Sequence, residues 1–245
     1  MKIEFVPYTQ EELDAVLEKH RHWLDKDVDG WETMNADLSH ADLGGMDLSG
    51  VNLSGAKLVG VNFVKTNLSG ANLSGAKMDF SYMDGADFTQ ANLRNASMPF
   101  AKAKGANFTD ADLTGAALGG IMTNSVFFGA TMIDARFGAG KFSGANFSNA
   151  KMDHADLSDA ILWDADLSGA DLHEADLCNA GFDDANLSGA NMRKASILGT
   201  SLHGANLYGA KMSGTSFCAI DFRNVDLTGV DLTGSTCVPW RFRRK

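Results

Sequence analysis

Cysteine appears only three times in 245 residues, too rarely and too widely spaced for a disulfide framework. Proline also appears three times, which excludes a proline-rich linker. Lysine and arginine total 21 against 31 acids, giving a formal charge of −10. A chain of that sign does not bind nucleic acid through net positive charge. No apolar run approaches 18 residues, so no membrane-spanning helix is expected. The first ten residues lack the apolar core of a secretory signal, and a cytoplasmic location is expected. Hydrophobic residues still make up 44% of the chain, enough for a packed core.

Glycine is plentiful at 26 residues, and its spacing is regular. From Ala36 onward the chain repeats every five residues, as in Ala71-Asn72-Leu73-Ser74-Gly75 and Ala165-Asp166-Leu167-Ser168-Gly169. Taking the large apolar residue as the centre, centres run from Leu38 to Leu118 and again from Met122 to Leu232, 40 units in all. Of these centres 39 are Leu, Ile, Met or Phe, and Ala103 is the exception. Two residues before the centre, 27 of the 40 positions are Ala.

Period five smears apolar residues around a 3.6-residue helical turn, and it breaks the alternation of a flat strand. It does fit a short strand followed by a corner. The small residue and the centre lie two apart and point to one side. Ser-Gly or Thr-Gly then supplies the turn. A chain that keeps turning while burying the same positions coils around its own core as a solenoid. Sorting the units in fours isolates the set centred at Leu48, Leu68, Phe88 and onward to Leu227. In this set Ser or Thr follows the centre in 8 of 10 units, and Asn or Asp precedes it in 9 of 10. Side identity therefore recurs every 20 residues, which makes four sides per coil. Phe88, Phe108, Phe127 and Phe147 are then expected to stack as an aromatic ladder. About ten coils at ~4.8 Å give a rod ~48 Å long.

These units resemble the tandem Ala-Asn/Asp-Leu-x-x motif of pentapeptide repeat proteins, over residues 36–234. The resemblance implies a mainly β fold, a right-handed quadrilateral β-helix with centre and small residue inward. The expected organisation is an N-terminal segment with a capping helix over 1–35, the solenoid over 36–234, and a C-terminal cap or dimer-contact tail over 235–245. Thr9 with Glu12 is a capping box. Leu13, Val16, Leu17, His20 and Leu24 follow at helical spacing, so a helix over about 10–24 is expected to cover the first coil, with Trp31 helping to seal it. In several similar proteins dimers form through the C-terminal coils, and the tail here suits either a cap or a homodimer contact.

The register slips once, where Ala116-Ala117-Leu118-Gly119 has lost a residue before Gly120-Ile121-Met122 resumes. Either the rod kinks there or one corner is merely short. Ala103 would leave a void unless neighbours such as Met83 and Met122 close it.

A rod filled with side chains offers no concave catalytic site, so no enzyme, metal or cofactor is expected. Gly138-Ala139-Gly140-Lys141 is not a Walker loop, because Ala135 and Phe142 stand where that motif needs Gly and Ser or Thr. Asp153, His154, His173 and Glu174 form columns of alternating sign, the pattern of a solvated charge ladder rather than of a metal site. Cys178 and Cys218 share a column at ~9.6 Å, beyond disulfide reach, and read as free thiols.

Two surfaces remain. An acidic side carries Asp47, Asp87, Asp110, Asp166 and Asp226, without Lys or Arg. Some pentapeptide repeat proteins imitate B-DNA, bind gyrase or topoisomerase IV and protect them from quinolones, and the sign here is right for that. The repeat region is net −9, about one charge per 5 Å, against one per ~1.7 Å for the duplex. The second surface breaks the pattern with large or basic residues at outward positions: Lys77, Phe80, Tyr82, Pro99, Phe100, Lys102, Lys104, Ile121 and Lys141. Val126, Phe128 and Ile133 do the same on the next sides. Outward aromatics in place of Ser or Gly mark a candidate protein-contact patch. The leading expectation is a bacterial-type, non-enzymatic, rigid interaction scaffold whose partner is a protein, not nucleic acid or membrane. The alternative is a DNA-mimicking topoisomerase binder.

Overall fold

The computed structural model of the chain describes residues 4–218, 220, 222 and 224–237. Its body is a β-helix solenoid. Short parallel pairings join residues 20 apart, such as Asp37 with Lys57 and Asp42 with Asn62, in four ladders that follow the long axis. Within each unit the ladder residue precedes the buried centre. The centre's carbonyl then accepts the N–H three residues on, closing the corner, as Leu48 does from Val51 and Phe88 from Ala91. The third turn residue takes a positive φ, between 64° and 72° at His40, Gly45, Gly50 and Gly55. That is the conformation of a type II turn, and it explains the Gly and Asn found there.

Apolar centres and their preceding alanines fill the tube. Every centre from Leu38 to Met212 is at most 1% exposed. Leu227 and Leu232, centres of the last turn, are 37% and 39% exposed because no further described coil stacks on them. Phe88, Phe108, Phe127 and Phe147 stack at 4.8, 4.8 and 4.7 Å between ring centroids, with planes within 4°. The expected aromatic ladder is therefore present. Phe137 and Phe142 add edge-on contacts around Phe147 in the same coil. Gly140 stands where most units have Ala, and a Cβ there would lie 2.6 Å from the Phe142 ring. At Thr66, Ser81, Ser125 and Thr200, where a hydroxyl residue takes the small inward position, the hydroxyl donates to a carbonyl of the preceding coil, and at Thr215 to Met212 of its own corner. Thr66 bonds Leu43 at 2.7 Å, and Ser125 bonds Ala103 at 2.5 Å. Ala103 itself is fully buried.

Outside the tube, ladder Asn and Asp side chains accept the N–H two residues on, as Asp47 does from Ser49 at 3.0 Å. The amide of Asn67 then donates to Asp47 one coil below at 2.9 Å. This repeated turn-and-ladder bonding is why Asn and Asp precede the centre.

The open end of the first coil is covered from the N-terminus. Strand β1 (Val6–Pro7) pairs in parallel with β2 (Ala41–Asp42). Helix α1 (Gln10–Asp25) starts at a complete Thr9/Glu12 capping box and buries Leu13 and His20 against the coil. The Ala36 N–H donates to His20 Nδ1 at 3.1 Å, and the Trp23 ring lies over the corner at Gly55. Trp31 is half-buried; it opens a short 3-10 turn, Trp31–Thr33, and carries the Lys26 ammonium 5.1 Å above its ring. At the other end, β3 (Ser196–Leu198), β4 (Ser216–Cys218) and β5 (Thr236–Cys237) pair in parallel. The tail expected to act as cap or dimer contact lies, from residue 238 on, outside the described residues. Among the described residues no helix is long and apolar enough to cross a membrane.

Candidate functional site

The lost residue falls at the corner between the first ladder, which runs through Lys77, Ser97 and Ala117, and the second, through Tyr82, Lys102, Ile121 and Lys141. All four ladders pass it unbroken. Lys102 pairs with Ile121 and Ala117 with Arg136 at a separation of 19, and Ile121 pairs with Lys141 at 20 again. The corner shortens by closing a three-residue turn, in which the Gly120 N–H donates to the Leu118 carbonyl at 2.6 Å. The corner is thus one residue short while the pairing on both sides of it is kept. Only glycine fits at 120. A Cβ there would collide with the Ala101 carbonyl oxygen and sit 3.0 Å from its nitrogen.

The next coil turns the same corner with Gly138-Ala139, and there the positive φ, 51°, moves one place forward to Gly138. Two successive corners thus carry no side chain larger than a methyl. Immediately before them Phe80 and Phe100 project from the same edge, stacked at 5.0 Å and 57% and 66% exposed. The result is a groove of about 580 Å³ lined by Pro99, Phe100, Gly119, Gly120, Ile121, Gly138, Ala139 and Lys141. Ile121 is 43% exposed. Tyr82 and Lys102 flank it: the Lys102 ammonium lies 5.0 Å over the Tyr82 ring, and the Phe5 and Tyr82 rings meet at right angles with centroids 5.6 Å apart.

The structure therefore gathers most of the expected patch. Phe80, Tyr82, Pro99, Phe100, Lys102, Ile121 and Lys141 share one edge and the adjoining second ladder. Lys77 stands on the first ladder and Lys104 on the following corner, and neither lines the groove. Of the neighbouring set, Phe128 is exposed while Val126 and Ile133 are half-buried. The glycine floor is not among the residues expected from the sequence. Its signal is there as two glycine-rich corners 19 residues apart, one coil after the other, directly after the stacked Phe pair.

The acidic residues fall as expected on one ladder. It runs Asp47, Asn67, Asp87, Asn107, Val126, Asn146, Asp166, Asn186, Asn206, Asp226, with Asp110 at a corner beside it. Hydrogen bonds from Ser49 and Asn67 hold the Asp47 carboxyl below its ordinary range, and Thr228 does the same for Asp226. Asparagines separate the charges, so the nearest ladder carboxylates, Asp47 and Asp87, stand two coils apart.

His154 and Glu174 approach to 3.5 Å, His173 and Asp153 to 3.9 Å, and Lys194 bonds Glu174 at 2.8 Å. This is the charge ladder expected from the columns. Among the described residues no group of three or more His, Cys, Asp or Glu could hold a metal ion. Cys178, Cys218 and Cys237 are free thiols.

The chain matches the family model described as pentapeptide repeats in eight copies between residues 34 and 236. No curated protein matches it in sequence. Among solved structures it is similar to HetL, a pentapeptide repeat protein involved in heterocyst differentiation regulation from Nostoc sp. strain PCC 7120. Identity is 24%, with 93% of this chain and 94% of that one covered at a TM-score of 0.61. It is similar to Rfr23 from Cyanothece at 38% identity over 39% of this chain and 58% of that one, TM-score 0.29. With QnrB1, a plasmid-mediated fluoroquinolone resistance protein, it shares 20% identity over 79% of this chain and 88% of that one, TM-score 0.33.

Proposed function

The chain belongs to the pentapeptide repeat family, and on that premise we propose that it is a non-enzymatic, rigid scaffold that docks a protein partner at the shortened corner. The tube in this reading is a right-handed quadrilateral of about ten coils, held straight by its filled core so that only its skin acts. The observation that carries the reading is the groove beside Phe80 and Phe100. A regular unit puts Ser, Thr or Gly at the corner. Here stacked aromatics stand against a corner stripped of side chains, which leaves apolar surface where the repeat would leave polar surface. A large apolar side chain from a partner would bury against Pro99, Phe100 and Ile121, the kind of anchored contact that dominates interface energetics.

The test is partner capture from the source cell with full-length protein and a Phe80→Ser/Phe100→Ser variant. Both residues are exposed corner positions, so the fold should persist. Loss of a captured partner in the variant supports docking at this edge. Identical partners and an identical association state with both proteins would refute it.

The acidic ladder favours a second reading, a DNA-mimicking binder of type II topoisomerase that protects it from quinolones or similar toxins. Its ladder aspartates recur no more often than every ~9.6 Å, much sparser than duplex phosphates at one per ~1.7 Å of axis. Gyrase supercoiling with quinolone, with and without the protein, separates the two readings. A cytoplasmic location and self-association through the C-terminal end belong to the leading reading.

A further inference from the structure

Resting on the scaffold reading, we propose that the groove takes an acidic protein segment bearing one large apolar side chain, the side chain entering between Phe100 and Ile121 and its carboxylates meeting Lys102 and Lys141. The second ladder reads Tyr82, Lys102, Ile121, Lys141, Ile161 over five successive coils, basic and apolar by turns and without a carboxylate. No acid lines the groove. Among the described residues neither Lys102 nor Lys141 has a carboxylate within ion-pair distance, whereas Lys57 pairs with Asp37 and Lys194 with Glu174. In a chain of charge −10 this is a local reversal of sign, and it coincides with the apolar groove.

The two ammonium groups spring from ladder positions two coils apart, ~9.6 Å along the axis. Ile121 lies between them and forms part of the groove wall. A partner is therefore recognised by an apolar side chain flanked on both sides by carboxylates. Duplex DNA fits poorly. Its phosphates recur every ~1.7 Å and extend well past the patch, over the acidic remainder of the rod, whereas a short peptide touches only the basic edge and is screened from the rest beyond ~8–10 Å.

The probe is a fluorescein-labelled synthetic peptide of Glu, Asp and Ser with one central Trp, followed by anisotropy against the full-length protein. Comparators replace the Trp with Ser, or the acids with Lys, and a short duplex DNA serves as a third. The acidic Trp peptide should bind best. Its affinity should fall about tenfold or more in Ile121→Ser and in the Lys102→Glu/Lys141→Glu double variant, and should weaken as salt is raised. Lys211→Glu, on the fourth ladder, should leave binding unchanged apart from a small general effect. Lys102 and Lys141 are exposed, so an unchanged circular dichroism spectrum confirms that the double variant is folded.

Equal binding of the acidic and basic peptides, indifference to the double lysine change, or groove-dependent binding of the duplex would each overturn the inference. Should the acidic peptide fail while Phe80→Ser/Phe100→Ser still abolishes capture of a cellular partner, the acidic recognition falls and the scaffold reading stands. Failure of both tests removes both.

Discussion

Replacing Gly120 with Ala tests whether the groove floor is built by steric exclusion or only by the flexibility of glycine. The Cβ would meet both the oxygen and the nitrogen of Ala101, and these are backbone atoms of the adjacent coil with no side-chain freedom to yield. Relief requires a backbone shift on the order of an ångström. The Ile121 N–H bonds that same Ala101 carbonyl at 2.9 Å, so the shift falls on a ladder bond. Losing it costs about 0.5–1.5 kcal/mol net, and overpacking adds about 1–3 kcal/mol. The expected loss is about 2–4 kcal/mol. Gly70→Ala is the control. Gly70 has φ 65° and open space around the missing Cβ, so only the left-handed backbone penalty of about 1–2 kcal/mol applies. Asn should recover part of the loss at 70, because Asn124, Asn149 and Asn179 already occupy equivalent corners at φ 57–58°. It should recover nothing at 120. Urea unfolding gives the stabilities, and amide exchange at Ile121 locates the damage. The reasoning fails if Gly120→Ala costs no more than Gly70→Ala, or if Asn is tolerated at 120 as well as at 70.

Phe108→Ala should be among the costliest core changes, about 3–5 kcal/mol for the side chain and about 0.5–1.5 kcal/mol for each of two stacked neighbours, Phe88 and Phe127. Chemical denaturation that shows Phe108→Ala no worse than Leu113→Ala would remove the ladder's contribution. His20 is buried and its protonation is disfavoured by that burial, so its pKa lies below the ordinary 6.5. The unfolded chain then takes up the proton first, and stability should decline as pH falls below about 6.5. Melting curves of His20→Gln should lack this slope, and an unchanged slope would assign it elsewhere. Thiol titration of the native protein should modify exposed Cys237 first. Cys178, half-buried and with its thiol pKa raised by that burial, should be slower, and Cys218 should react only on unfolding. Rapid modification of all three without denaturant would contradict the burial.

The body of the fold was legible because each unit repeats one physical solution. Ala71, Leu73 and Gly75 are chosen by a close approach, a filled core and a positive φ, and the same three demands recur in unit after unit. Repetition turns weak single-residue preferences into a strong signal. The helix over the first coil was legible for the same kind of reason, since Thr9 and Glu12 mark its start and Leu13 and Leu17 its buried face. The local setting of Trp31 was not legible, because a single aromatic carries no periodicity. Lys26 stacked above its ring and the 3-10 turn that holds it are local matters that spacing does not reveal.

The candidate site was half legible, and the boundary follows from what a period can encode. Phe80 and Phe100 stand out because they replace Ser or Gly at positions the repeat defines. Gly119, Gly120, Gly138 and Ala139 carry a weaker signal, since small residues at and beside a corner are what the repeat prescribes. Their effect comes from a missing residue and from two such corners falling on neighbouring coils of one edge. The slip and the aromatic patch therefore look like two separate irregularities until the 19-residue pairing of Lys102 with Ile121 puts them side by side. In a tube whose interior tolerates almost no variation, specificity has to be written where the skin departs from the repeat. The departures that can form a concave surface are those that remove side chains next to ones that add them. On the described residues of this rod, the edge from Phe80 to Ala139 meets both conditions and is flanked by Lys102 and Lys141, which have no ion-pair partner there. That coincidence of relief, apolarity and reversed charge is the physical reason for proposing this edge as the docking site and not the acidic ladder, where Asn67 and Asn186 already donate to Asp47 and Asp166.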